Sequence, residues 1–248
     1  YTGMAPGVTL ESYGYEDDGS GIFLFTNPGD LEADYGEGIA DYGADLANNS
    51  ISSNIELNGF LCTIQGDYGV LSQVVDAVVW GSLGAPFRIV WSNGNERFGG
   101  RCDVEGFGDY YSMAPPATAK NPIMVGALNS NDDSVTNFSS FGPSDDGRLE
   151  PTVCAPGCQT SADGGLTSAT ASSDTSYGVL CGTSMSSPVV SGVAALILED
   201  WRARFAGSDP RNSTLKALLA HSAVDRGNAG PDYQFGYGSV RAQAAVDF

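Results

Sequence analysis

Gly182-Thr183-Ser184-Met185-Ser186-Ser187-Pro188-Val189-Val190-Ser191-Gly192 is the stretch on which the reading of this chain turns. Gly182 permits a tight turn that a side chain would obstruct. The apolar positions Val189, Val193, Leu196 and Ile197 predict a long helix over 184–205, so Ser184 falls where that helix begins. Free backbone N–H groups and the positive end of the helix dipole then lie beside its hydroxyl. An oxyanion formed on an acyl carbon there would meet a donor. Pro188 is tolerated because it lies in the first turn. A serine so placed is either a helix N-cap or a nucleophile, and the stretch by itself leaves both open.

Upstream, elements alternate. Helical spacing predicts helices over 38–48, with Ile39, Tyr42 and Leu46 on one face, and over 67–83, with Val70, Val74, Ala77 and Val78 as its stripe. Leu215 opens a shorter helix over 215–223. Strands are predicted at 8–15, 49–54, 87–91, 123–128, 151–155 and 176–180, and the acidic, Gly/Asp-rich stretch 16–37 reads as a loop. The alternation predicts an α/β fold with a mainly parallel sheet and helices on its faces. No repeat or linker-like segment divides the 248 residues, which read as one domain.

Composition narrows the function. Hydrophobic residues make up 42%, and the formal net charge is −19 from 11 basic and 30 acidic side chains. Nucleic acid and anionic membrane surfaces are therefore poor partners. The excess of carboxylates fits solubility through self-repulsion. No apolar run reaches the roughly 18 residues of a membrane-spanning helix. The start at Tyr1 reads as mid-domain, without the basic region of a secretion signal. Five cysteines (62, 102, 154, 158 and 181) form no CxxC pair, and a single histidine, His221, argues against a zinc site. One or two disulfides in an exported protein, with one thiol left over, is the expectation.

The segment 182–192 resembles the active-serine signature G-T-S-M-[AS]-x-P of the subtilisin-like proteases (subtilases), matching every fixed position. Other segments match the family in order. Gly3-Met4-Ala5-Pro6-Gly7 resembles the turn after the catalytic-histidine helix, and Asn49-Ser50-Ile51-Ser52 the strand whose edge pairs with substrate. Val90-Trp91-Ser92-Asn93-Gly94-Asn95-Glu96 resembles the A-x-G-N-E strand end. Phe138–Pro143, Asp145–Arg148 and Ala155-Pro156-Gly157 resemble further family stretches, and Leu215–Ala223 its late helix. The resemblance implies a three-layer subtilisin-like fold whose N-terminal strands are missing from this chain. It implies a serine endopeptidase acylated at Ser184, with the Asn95 amide as a neutral donor in the oxyanion hole. Ser50, Ile51 and Ser52 on one side, and Ser92, Asn93 and Gly94 on the other, would flank an extended polypeptide substrate by β-augmentation. The same layout implies Cys158–Cys181 and Cys62–Cys102 disulfides, a buried thiol at Cys154, and a secreted protein. It also implies calcium held by loop carboxylates, for which Glu16, Asp17, Asp18, Asp30, Asp34, Asp132 and Asp133 are candidates without an EF-hand pattern.

What this sequence lacks is a base. Subtilases carry their triad in the order Asp, His, Ser. Residues 3–7 already match the turn downstream of the histidine, and no aspartate in 8–48 stands in a D-[ST]-G context. His221 falls in the late helix, where an ordinary partly buried histidine is expected. Without a base the serine hydroxyl stays protonated and weakly nucleophilic. The sequence is therefore read as the C-terminal portion of a catalytic domain, its Asp and His lying upstream of residue 1 or on another chain. Alone it is expected to have negligible activity. The alternative is an inactive, peptide-binding pseudoprotease. An esterase fits less well, because the G-x-S-x-G elbow is absent.

Overall fold

The computed structural model describes residues 3–13, 28–51, 53, 55, 59–97, 102–103, 106–162 and 164–247. Four parallel strands form the sheet in the order β1 (Ala47–Asn49), β2 (Ile89–Ser92), β3 (Ile123–Asn129), β4 (Val153–Cys158). Every residue of β2 and β3 is buried, as expected of parallel strands covered on both faces. The period of two sorts their side chains. Ile89, Trp91 and Met124 point into one apolar cluster with α1 (Pro28–Ala40) and α2 (Val70–Trp80). Val90, Ile123, Val125, Val153 and Ala155 point into another with α3 (Thr183–Arg204), α4 (Asn212–Ser222) and α5 (Ala242–Val246). The result is the expected three-layer α/β architecture. A separate antiparallel hairpin, β5 (Leu166–Ala169) with β6 (Tyr177–Leu180), leads directly into α3.

Four local expectations change. The stretch 38–48 is not a helix: α1 ends at Ala40, Gly43 takes a left-handed φ of 65°, and 47–49 is strand β1 rather than 49–54. Of the acidic segment 16–37 read as a loop, residues 28–37 belong to α1, and 16–27 lie outside the described residues. The apolar stripe of α1 is sparse but in register, with Leu31 and Tyr35 buried and Ile39 packed beside them. Residues 8–13 pair with no strand, and Val8 and Leu10 are exposed, while 14–15 lie outside the described residues. Residues 166–169, which have too little apolar content to stand out, form the partner strand of 177–180.

Both cysteine pairs are disulfides, Cys62–Cys102 and Cys158–Cys181, and Cys154 is a buried thiol whose pKa burial pushes up. Among the described residues, no helix is long and apolar enough to cross a membrane.

Glu150, just before β4, is only 2% exposed. Burial pushes its carboxyl up to about 7, and Lys216 Nζ, 3.9 Å from Oε1, offsets this only in part. The unfolded chain ionises this group above about 4.5 and the folded chain only above about 7. Between those values the unfolded state binds fewer protons, so stability falls as pH rises, and the penalty is complete above the upper value. Gln carries no such penalty. The stability advantage of Glu150→Gln over the parent should therefore grow by on the order of 3 kcal/mol between about pH 4 and pH 8. Thermal melts at both pH values check this, and a pH-independent difference would contradict it.

Candidate active site

The site lies at the carboxyl ends of β1 and β2, where ligands bind in open α/β sheets. Three pieces meet there: Asn49–Ile51 beyond β1, Ser92–Glu96 beyond β2, and the first turn of α3. Ser184 is the second residue of α3 and half-buried. Gly182, before the helix, has extended backbone (φ 162°, ψ 161°), so the expected need for a tight glycine turn is not what selects it. A Cβ on Gly182 would meet Asn95 Nδ2, Met185 Sδ and Ser184 N, each at 3.6 Å, which are ordinary contact distances. Two nitrogens that carry N–H groups, Asn95 Nδ2 and Ser184 N, thus border one small volume beside Gly182.

The Asn95 amide is oriented by its neighbour. Its Oδ1 accepts from Thr183 N at 2.9 Å and from Thr183 Oγ1 at 2.9 Å. A backbone N–H can only donate, so the oxygen must face Thr183 and the NH2 must face the volume beside Gly182. Thr183 Oγ1 in turn accepts from Gly94 N at 3.3 Å, tying the β2 loop to α3. Gly182 N donates to Gly157 O at 2.9 Å, and the Cys158–Cys181 disulfide joins the same two segments one residue away.

The Ser184 hydroxyl donates to the backbone carbonyl of Ser50 at 2.9 Å. A carbonyl accepts such a bond but cannot take the proton. His221 is in the last turn of α4 and exposed, rather than partly buried as expected, because Leu215 and Leu219 take the inward face of that helix.

The remaining expected site residues divide. Ser50 reaches Ser184 through both its side chain and its backbone. Ile51 O accepts from Trp91 Nε1 at 2.8 Å and from Ser92 Oγ at 3.0 Å, so this carbonyl and the Ser92 hydroxyl are turned toward each other. Asn93, expected to flank the substrate, is fully buried. Its N–H continues the β2–β3 pairing to Val125 O, and its Nδ2 donates to Ser140 O at 2.7 Å. Its side chain therefore serves the protein interior rather than a pocket surface. Gly94 is buried with φ 105° and carries the turn between Asn93 and Asn95. Ser52 lies outside the described residues.

Two of the carboxylates named for calcium are committed elsewhere. Asp133 pairs with Arg226 and Arg241; burial raises its pKa, but the two guanidinium groups outweigh that and hold it below the usual range. Asp132 Oδ1 accepts from Ser134 N and Oγ at 2.9 and 2.6 Å. Asp30 and Asp34 are exposed on α1, and 16–18 lie outside the described residues. Among the described residues no three or more His, Cys, Asp or Glu side chains gather as cation ligands, so a carboxylate cluster of the kind expected for calcium is not found among them.

At the end of a parallel sheet, a serine hydroxyl at a helix start thus has Asn95 Nδ2 and Ser184 N near it, the groups that acyl transfer at a serine would use. Residues 1–238 match the family model described as "Subtilase family", and the chain belongs to that family. Serine protease AprX of Bacillus subtilis is 31% identical over 150 residues, covering 56% of this chain and 32% of AprX. Subtilisin amylosacchariticus of Bacillus subtilis subsp. amylosacchariticus is 29% identical over 206 residues, covering 81% of this chain and 42% of that protein. The chain thus spans less than half the length of these relatives. The fold matches that of the patellamide maturation protease PatA with a TM-score of 0.62 at 21% identity, over 89% of this chain and 68% of PatA.

Proposed function

We propose that this chain is the C-terminal portion of a subtilisin-type serine endopeptidase domain, acylated at Ser184, whose triad Asp and His come from a segment preceding residue 1 or from a separate polypeptide. The convergence of Asn95 Nδ2 and Ser184 N beside Gly182 carries the reading. In the reaction, the supplied base takes the Ser184 proton as Oγ attacks the peptide carbonyl carbon. The resulting oxyanion enters the volume between the two donors. The proton then passes to the departing amine, and water releases the acyl group by the same route.

The substrate is a polypeptide in extended form, paired with backbone at Ser50 and Ile51 on one side and at 92–94 on the other. The two disulfides support a secreted protein, since such bonds persist in oxidising compartments.

The test is a fluorophosphonate probe applied to the chain alone and to the chain joined to its upstream segment, with the adduct located by mass spectrometry. Labelling of Ser184 only in the joined protein is the expected result. No labelling in either favours the peptide-binding alternative.

A further inference from the structure

Pro188 has no N–H to give to the carbonyl four residues back, which is that of Ser184. A residue outside the helix meets this carbonyl instead: Ser50 Oγ donates to Ser184 O at 2.8 Å, while Ser50 O accepts from Ser184 Oγ at 2.9 Å. With its one proton used, the Ser50 hydroxyl accepts from Asn48 Nδ2 at 2.8 Å. Asn48 Oδ1 then accepts from Ser187 Oγ at 2.7 Å and Ser191 Oγ at 3.0 Å. Those serines are buried and four residues apart, hence on one face of α3. Asn48 itself is exposed on β1, the outermost strand. Gly182 supplies no side-chain cap, so the first turn of α3 depends on outside struts. Asn95–Thr183 is one, and Asn48–Ser50 is the other.

We propose that Asn48, acting through Ser50, is a positioning residue for the nucleophile. It fixes the first turn of α3 against the end of β1, and so sets where Ser184 Oγ and N–H lie relative to Asn95. This inference rests on the reading of Ser184 as the acylated residue. Each single feature is ordinary, but together they place three side-chain amide bonds and a reciprocal serine pair around one helix start. A leucine at 48 would fill similar space and make none of these bonds. An aspartate would keep the acceptor for Ser187 and Ser191 but could not donate to Ser50.

Four variants test it: Asn48→Leu, Asn48→Asp, Ser50→Ala and Ser50→Thr. The rate of fluorophosphonate labelling is read in the protein joined to its upstream segment. Amide exchange of the 181–189 peptide is read in this chain as it stands, with 215–222 as internal reference. Asn48→Leu and Ser50→Ala should label about ten- to a hundredfold more slowly. Asn48→Asp should fall between them and the parent, and Ser50→Thr should restore the rate because it keeps the hydroxyl. Exchange in 181–189 should quicken in the first two variants while 215–222 stays unchanged. Unchanged labelling in Asn48→Leu, or equal rates for Ser50→Ala and Ser50→Thr, would overturn the proposal. Should the parent not label at all, the protease reading fails separately; unchanged exchange in Asn48→Leu would then overturn the anchoring of α3 as well.

Discussion

Joined to a segment that carries the missing histidine and aspartate, this chain should react at Ser184 about 10⁶-fold faster than it does alone. The magnitude is that of subtilisin itself, the family's own reference case for removal of the histidine, and corresponds to roughly 8 kcal/mol of transition-state stabilisation. The physical cause is visible at the hydroxyl. Ser184 Oγ donates to the Ser50 carbonyl, which orients the proton and cannot remove it. His221 lies exposed in the last turn of α4, and Ser184 Oγ donates to a carbonyl rather than to an imidazole. If Asn95 Nδ2 and Ser184 N form the oxyanion hole as proposed, the chain alone keeps them, and a residual rate of about 10³–10⁴ over water is expected to persist. Burst kinetics with an activated peptide ester, measured on both forms, read the two rates. Equal rates would mean that a group within this chain acts as the base, and the reading of an incomplete triad would fall.

The segments that meet at this site are more legible in the sequence than their surroundings. Gly182–Gly192 and Asn93–Glu96 are contiguous, and each depends on residue types that few other purposes require together. Their local order therefore carries their meaning. The partition of the sheet into two apolar faces was legible for the same reason, since Ile89–Ser92 and Ile123–Asn129 are continuous buried runs. Helix α1 was not legible, because glycine and acidic residues dominate Pro28–Ala40 and only Leu31, Tyr35 and Ile39 mark its inner face. Helix α5 is five residues long, too short for periodicity to show. The burial of Asn93 arises from its pairing with β3, a tertiary fact absent from its own segment. The strut from Asn48 to Ser187 and Ser191 joins residues 139 and 143 positions apart, none of them unusual where it stands. Nucleophile motifs are local and can be read from the chain, whereas the contacts that hold a nucleophile in place are made across it.

Asn95 allows that distinction to be measured. Its two amide atoms have separate tasks on the proposed reading: Oδ1 accepts from Thr183, and Nδ2 would face the developing negative charge. Asn95→Leu loses both, and in the joined protein kcat should fall by about 10²–10³, or roughly 3–4 kcal/mol, with KM nearly unchanged. Subtilisin's own oxyanion asparagine is the reference case for that size of effect. A leucine result alone cannot say which atom mattered, because loosening Thr183 would also displace Ser184. Asn95→Asp separates them. The carboxylate still accepts from Thr183 N and Oγ1, so the first turn of α3 keeps its anchor, but a donor becomes a negative charge beside the forming oxyanion. Asn95→Asp should therefore be at least as slow as Asn95→Leu while leaving amide exchange in 181–189 unchanged. An Asn95→Asp variant that kept most of its kcat would show that Asn95 serves Thr183 rather than the transition state. The oxyanion would then have Ser184 N as its sole donor from this pair.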